Sequence, residues 1–183
     1  MDIRVGIAGS AGTGKSLLAK DIADKLGVQY ISSKRITRPI LERLGYRWDG
    51  SMQVEEFLAN EQCQEEILDL TEKAHAEAGN FVTDRTFVDI AAYTIAMNTK
   101  NVDFIERIEC KCFASAKNYT DVILCPWGRV PLKKNQIRTA NPWFQLIING
   151  LDTSLMNKWV IPYLLADQVE GRSEQALAYI SRR

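Results

Sequence analysis

Short hydrophobic runs alternate with longer amphipathic stretches along the first half of the chain. The runs typical of buried strands cover 3–8, 28–32 and 81–83, and helical periodicity covers 16–26 and 87–97. Gly27 stands directly after the first helical stretch, where a left-handed C-cap is expected. Strands that alternate with helices predict a parallel sheet with crossover helices, so we expect a βαβ unit at the start of the chain.

The second half continues the alternation. A long amphipathic pattern ends at Gly79 and predicts one helix, and a Pro at the first turn marks the start of a later helix. The predicted elements are helices at 54–78, 102–117 and 142–156, strands at 121–125 and 159–165, and a closing helix at 174–182 capped by Ser173. The fold class predicted is α/β, with three layers and a parallel sheet of about five strands.

Composition is that of one globular domain spanning 1–183. The chain has 183 residues, 46% of them hydrophobic, with 23 basic and 23 acidic side chains that cancel. No run approaches the roughly 20 apolar residues of a membrane span, and no apolar leader opens the chain, so a cytoplasmic protein is expected. The balanced charge disfavours a protein that coats nucleic acid, although a local basic contact is left open.

Cysteine and histidine give little chemistry. The four cysteines are unevenly spaced, and the one close pair, Cys110 and Cys112, lacks the further ligands of a closed zinc site. Free thiols are therefore expected. His75, among charged and small residues, is interpreted as part of a solvated helix end.

The most specific motif is a phosphate-binding loop. The segment Gly9-Ser10-Ala11-Gly12-Thr13-Gly14-Lys15-Ser16 matches G-x-x-x-x-G-K-[ST] and lies between a predicted strand and a predicted helix. Glycines let the backbone N–H groups converge on phosphate oxygens, and the helix N-terminus adds positive charge. Lys15 is expected to reach the β and γ phosphates of ATP, and Ser16 to bind Mg²⁺.

A phosphate-binding loop alone does not separate kinases from GTPases or ATP-driven machines. No N-K-x-D motif for guanine and no Asp-Glu pair of a motor protein are present, but the strand at 81–83 ends in Asp84-Arg85. A carboxylate there faces the crevice of a parallel sheet. Asp84 is predicted to hold Mg²⁺ or accept a proton, and Arg85 to steady the transferred phosphoryl group. The alternative is that Asp84 caps the next helix and Arg85 forms a surface ion pair.

The run 84–93, Asp-Arg-Thr-Phe-Val-Asp-Ile-Ala-Ala-Tyr, resembles the Asp-Arg and Ala-Tyr pattern of P-loop nucleoside and nucleotide kinases. It is similar to thymidylate kinases and to the AAA-type ATPase/kinase family related to nicotinamide riboside kinases, whose run is D-R-S-x-x-D-x-x-A-Y. The resemblance implies a P-loop kinase fold, ATP and a small acceptor. Thr86, Asp89 and Thr94 depart from the thymidylate kinase pattern.

The acceptor side is predicted after the second strand. Arg35 and Arg38 lie in a cationic loop there, and two arginines suit a monophosphate, which they would bind bidentately. A solvated loop before a helix with Pro39 in its first turn is the alternative. Asp89 and Tyr93, four residues apart on one helix face, are predicted to line the acceptor pocket, with plain helix packing as the alternative for Tyr93. The acceptor region predicted is 33–78.

A basic stretch at 128–141 follows the fourth strand, where nucleotide kinases have a lid. A closing lid supplies positive charge over the phosphates and excludes water. The resemblance points to Arg138 as the catalytic lid arginine, with Arg129 as the second choice and as a contact to ATP. A solvated loop or a nucleic-acid contact is the alternative.

The function predicted is transfer of the γ-phosphoryl group of ATP, with Mg²⁺, to a small nucleotide, foremost a deoxynucleoside monophosphate. The enzymatic alternatives are a nucleoside or nicotinamide riboside kinase and a kinase acting on a modified base in DNA. An ATP-hydrolysing switch without an acceptor is the alternative of another class. The sequence leaves open whether the chain forms a homodimer.

Overall fold

A parallel sheet of five strands forms the centre of the molecule. The computed structural model describes residues 2–46, 54–131 and 141–182. The strands are β1 (Arg4–Ala8), β2 (Gln29–Ile31), β3 (Phe81–Thr83), β4 (Asp121–Leu124) and β5 (Tyr163–Leu165). Their order is β2-β3-β1-β4-β5, and each neighbouring pair is parallel. The predicted parallel sheet of about five strands is confirmed.

Helices cover both faces of this sheet. They are α1 (Lys15–Leu26), α2 (Ser33–Arg43), α3 (Val54–Ala59), α4 (Glu61–Ala78), α5 (Phe87–Met97), α6 (Val102–Ala116), α7 (Pro142–Lys158) and α8 (Arg172–Ile180). Side chains alternate along a strand, so Ile123 packs with α1 and α8 while Val122 and Leu124 pack with helices of the opposite face. The result is the predicted three-layer arrangement.

The strand order places the carboxyl ends of β3 and β4 on either side of the carboxyl end of β1. β1 has β3 on one side and β4 on the other, with Val5 level with both Val82 and Asp121. The carboxyl ends of these strands therefore meet at one edge of the sheet, and the loops that follow them lie together there. This edge carries the phosphate-binding loop after β1 and the Asp84-Arg85 pair after β3.

The predicted single helix at 54–78 is wrong, because the structure has two helices there. Asn60 separates α3 from α4 and caps α4, and its side-chain oxygen accepts from the Cys63 N–H at 3.0 Å. An asparagine side chain satisfies an N–H that a continuous helix would have bonded to its own backbone, so it favours a new start.

His75 is buried, which corrects the interpretation of a solvated helix end. Its ring stacks on Phe81 with centroids 4.3 Å apart and meets Phe87 and Tyr119 edge-on. Burial in this aromatic cluster lowers the pKa of His75 to about 4. Lys73 and Glu77 are exposed on α4, whereas the His75 ring packs on Phe81 of β3.

Other predicted boundaries differ as well: α7 extends to Lys158, and the strand predicted at 159–165 is limited to β5, Tyr163–Leu165. The closing helix begins at Arg172 after Gly171, so Ser173 is not its cap. The cationic segment at 34–39 belongs to α2 and is not a loop before it, and Pro39 lies inside the helix rather than in its first turn. Gly27 has φ 65° and caps α1 as predicted, and the four cysteines are free thiols as expected. Among the residues described, no helix has the length and apolar character needed to cross a bilayer.

Candidate active site

Three glycines give the phosphate-binding loop its shape. Gly9, Gly12 and Gly14 have φ of 134°, 88° and 92°, in the region that residues with a Cβ rarely adopt. A Cβ on Gly9 would also stand 2.4 Å from the carbonyl oxygen of Cys125, which follows β4. The loop therefore needs glycine both for its backbone angles and for its close contact with the neighbouring strand.

Lys15 folds over the loop from the first turn of α1. Its Nζ donates to the carbonyl oxygens of Gly9 and, at 2.7 Å, Ser10. Within the described part of the chain, the hydrogen-bond acceptors of the ammonium group are thus neutral carbonyls. Neutral carbonyls bind a cation less strongly than phosphate oxygens do, so this lysine is placed to exchange them for an anionic ligand.

Asp84 lies at the end of β3, beside the loop, and is 3% exposed. Its two oxygens accept from the Tyr30 hydroxyl and from the Ser33 N–H, each at 2.7 Å. Burial raises the pKa of Asp84, but hydrogen bonds from Ser16, Ser33 and Tyr30 outweigh this, so its pKa lies below the usual value. Asp84 is ionised at neutral pH.

The Ser16 hydroxyl is close enough to the Asp84 carboxylate to act on its pKa as a hydrogen-bond donor. One hydroxyl and one carboxylate are hard oxygen donors, and Mg²⁺ in phosphate sites uses one or two protein oxygens of this kind beside waters and phosphate. The pair therefore fits the magnesium ion that the sequence implies.

The alternative in which Asp84 caps α5 is wrong. Thr86 is the N-cap, and it forms a capping box with Asp89 in which each side chain accepts from the backbone N–H of the other. Asp84 takes no part in this cap, and its oxygens accept from Tyr30 and from Ser33 of α2 instead. Arg85 lies with its guanidinium 5.2 Å from the centroid of the Tyr93 ring, a cation–π contact, and lines a crevice with α2 and α4.

Asp89 and Tyr93 contact the backbone of the phosphate-binding loop, whereas the sequence predicted that they line the acceptor pocket. Asp89 accepts from the Gly9 N–H at 2.9 Å through one oxygen and from Thr86 through the other. The Tyr93 hydroxyl is buried, which raises its pKa to about 12, and it interacts with the backbone N–H of Ala11. The structure thus uses both side chains to support the loop, and both are almost fully buried.

Arg35 and Arg38 lie on α2 with exposed side chains. Arg38 is paired with Glu42 one turn later at 2.8 Å. Neither arginine lines the crevice, whose α2 residues are Ser33, Ile36 and Thr37. The structure therefore does not bring the predicted clamp together with Asp84 and Arg85.

The predicted lid is described only at its two ends. Arg129 forms an exposed ion pair with Asp167 at 2.6 Å, which joins the segment after β4 to the segment after β5. Arg138 lies outside the described residues, so its role as the lid arginine stays a prediction.

Two buried ionisable residues near the loop, Asp152 and Arg172, were not found from the sequence. Asp152 on α7 is fully buried, and its oxygens have no partner among the described residues. Burial and the nearby Asp89 raise the pKa of Asp152 well above its usual value, against the opposing charges of Lys15 and Arg85. Arg172 on α8 contacts the loop directly. The one sequence signal for Arg172 is a cation in the first helical turn, where the helix dipole favours an acidic residue.

Solved structures of kinases share this fold. A deoxyadenosine kinase from M. mycoides with dCMP and dCDP bound matches with a TM-score of 0.70 and 16% identity, over 98% of each chain. The same kinase with bound dATP matches with a TM-score of 0.69 and 16% identity, over 98% of this chain and 99% of that chain. NadR in complex with NR matches with a TM-score of 0.64 and 13% identity, over all of this chain and 52% of the other.

The structural matches confirm the predicted fold class, which these kinases share. No curated protein matches the sequence significantly. The family model described as an AAA domain matches residues 4–158, most of the chain. The protein therefore belongs to this AAA-domain family.

Proposed function

We propose that the protein is a P-loop kinase that transfers the γ-phosphoryl group of ATP to a hydroxyl of a nucleoside-sized acceptor. The observation that carries the proposal is the position of ionised Asp84 at the end of β3, beside Lys15 and Ser16 of a complete phosphate-binding loop. Together these residues supply the positive charge and the metal ligands that phosphoryl transfer needs, because the reaction is catalysed by positioning and charge stabilisation.

Ser16 and Asp84 are the residues that would hold Mg²⁺. When bound, the ion neutralises charge on the β and γ oxygens of the nucleotide. Lys15 releases the carbonyls of Gly9 and Ser10 and binds phosphate oxygens instead. Tyr30 keeps its proton, because burial and the Asp84 charge raise its pKa to about 12, so it stays a donor that orients Asp84.

The acceptor is proposed to bind at the crevice between α2, α4 and β3, which is too narrow to admit it in this structure and would have to widen. Its described lining consists of one cation and otherwise hydroxyl-bearing or apolar side chains: Ser33, Ile36, Thr37, Ile67, Thr71, Thr83 and Arg85. A lining with one cation and several hydroxyl groups suits sugar hydroxyls and a base. The ligands bound in the similar structures, dCMP and dCDP in the deoxyadenosine kinase and NR in NadR, support an acceptor of nucleoside size.

The test is ADP release above the no-acceptor rate, with ATP and Mg²⁺, for a panel of nucleosides, deoxynucleoside monophosphates and oligonucleotides. We expect a nucleoside to give the largest increase. Lys15→Ala is the control and should abolish turnover while leaving the fold intact, because the contacts of the Lys15 ammonium are to its own loop. ADP release that no acceptor increases would instead identify an ATP-hydrolysing switch.

A monophosphate acceptor is the second candidate, favoured by the three cations Lys34, Arg35 and Arg38 on α2. Binding would require Arg38 to leave Glu42 and turn toward the crevice. Steady-state kinetics of Arg38→Ala with varied monophosphate test this candidate, and Arg138→Ala serves as the comparison. A clamp arginine raises KM for the monophosphate when removed, whereas a lid arginine engaged in the transition state lowers kcat. An unchanged monophosphate KM in Arg38→Ala excludes the clamp.

A further inference from the structure

Arg172 connects α8 to the phosphate-binding loop, although 159 residues separate it from its partner in sequence. Its Nη1 donates to the carbonyl oxygen of Thr13 at 2.9 Å, and its Nε donates to the carbonyl oxygen of Gln168 at 3.2 Å. Only 6% of the residue is exposed. Arg172 is thus a buried cation in contact with the loop expected to bind phosphate.

The charge of Arg172 is not neutralised by the described part of the chain. Both of its protein acceptors are neutral carbonyls, no described carboxylate forms an ion pair with it, and its Nη2 has no partner there. A buried charge without a counter-charge is costly. Its place in the first turn of α8 adds to this cost, since the helix dipole disfavours a cation there.

The hydrogen bond to Thr13 also orients the next peptide group. In a trans peptide the C=O of one residue and the N–H of the following residue point in opposite directions. Because the Thr13 carbonyl points to Arg172, the Gly14 N–H points away from it. The N–H groups of such a loop are the donors that surround phosphate oxygens.

We propose that Arg172 is a positioning residue of the nucleotide site, which holds the Thr13–Gly14 peptide so that the Gly14 N–H is presented to phosphate. The anionic nucleotide then supplies the counter-charge that the buried guanidinium lacks. This inference rests on the proposed function only in taking a nucleoside triphosphate or diphosphate as the ligand.

The contacts between α8 and α1 are consistent with this role. Ser173, the residue next to Arg172, donates to the Asp21 carboxylate on α1, and Asp21 is paired with Lys25 at 2.8 Å. Ala176 and Ile180 of α8 share a buried cluster with Leu18 and Ile22 of α1. The base of Arg172 is therefore fixed to the same helix that begins at the loop.

The experiment measures ADP affinity by calorimetry and melting temperature without ligand for the parent, Arg172→Met and Arg172→Lys. Arg172→Met keeps most of the volume but removes the donors and the charge, and we expect about a tenfold or greater loss of ADP affinity. Arg172→Lys keeps the charge and one donor, so its loss should be smaller. The melting temperature without ligand should change little, because replacing an unpaired buried cation by an apolar side chain removes a desolvation cost.

The matched control is Arg107→Ala. Arg107 forms a surface ion pair with Glu65 on α4, and both residues are distant from the loop in sequence. This variant should bind ADP as the parent does. A lower melting temperature with unchanged ADP affinity in both Arg172 variants would show a purely structural role and overturn the inference. If the parent itself binds neither ADP nor ATP, the proposed function fails, which is a different outcome.

Discussion

The carboxylate of Asp89 accepts a hydrogen bond from the Gly9 N–H at 2.9 Å, although the two residues are 80 positions apart. Its other oxygen caps α5 through Thr86. One buried side chain thus ties the start of α5 to the first glycine of the phosphate-binding loop. The shape of the loop depends on this long-range contact as well as on its own glycines.

Asp89→Ala should raise the KM for ATP and lower the free energy of unfolding by about 1 to 3 kcal/mol, because it removes both the loop contact and the helix cap. Thr86→Ala is the matched variant, since it removes the hydrogen bonds of the Thr86 hydroxyl but keeps the contact between Asp89 and the Gly9 N–H, and it should lower stability without changing the KM for ATP. The measurements are steady-state kinetics and chemical denaturation. A selective rise in acceptor KM in Asp89→Ala would restore the acceptor role predicted from the sequence.

Asp84→Asn should lower kcat by about a hundredfold or more with little change in ATP affinity, since a carboxylate that binds the metal or the acceptor acts mainly in the transition state. Tyr30→Phe, which removes one donor to Asp84, should have a smaller effect of the same kind. Normal turnover per folded molecule in Asp84→Asn would show that the carboxylate only supports the structure.

Asp152→Asn should raise stability, and the gain should grow with pH. The pKa of Asp152 is raised in the folded protein, so above the ordinary value of 3.8 the unfolded chain loses a proton that the folded protein keeps. The free energy of unfolding therefore falls as pH rises toward the folded pKa, and asparagine removes this loss. Melting temperatures between pH 4 and 8 measure the effect, with the exposed Asp24→Asn as the control. An equal shift in both variants, or none, contradicts the prediction.

His75 should destabilise the protein in acid. Its pKa is about 4 when folded, against 6.5 ordinarily, so between these values the unfolded chain binds a proton that the folded protein excludes. The free energy of unfolding should fall by up to about 3 kcal/mol as the pH drops through this window. His75 is the only histidine of the sequence, so its ring resonance can be followed by NMR without assignment. A midpoint near 6.5 in the folded protein would refute the burial of the ring.

Val160→Gly should stabilise the protein by about 1 kcal/mol. Val160 follows the C-cap of α7 with φ 56°, a left-handed conformation that is unfavourable for a β-branched residue, and its side chain is 85% exposed. Glycine removes the strain without loss of packing. Val160→Ala keeps a Cβ and should gain less, which denaturation curves of the two variants can test.

The sequence by itself determined the class of the fold and the centre of its chemistry. Alternating apolar runs and amphipathic stretches specify strands and helices because their periods of two and 3.6 residues are set by local backbone geometry. The phosphate-binding loop could be identified for the same reason, since its glycines and its Lys15-Ser16 pair act within one short segment. Local signals also gave Gly27 as a cap and placed Asp84 at a strand end.

Only the tertiary structure decided which side chains face the site. Arg35 and Arg38 are close in sequence and predict a phosphate-binding pair, but helix α2 directs Ser33, Ile36 and Thr37 into the crevice instead. Asp89 supports the loop and Arg172 reaches it from the last helix, through contacts that span 80 and 159 residues. Such contacts depend on how the layers pack around the sheet. The sequence pattern predicts whether a segment is a strand or a helix, but it does not predict how each helix is rotated about its axis relative to the neighbouring elements.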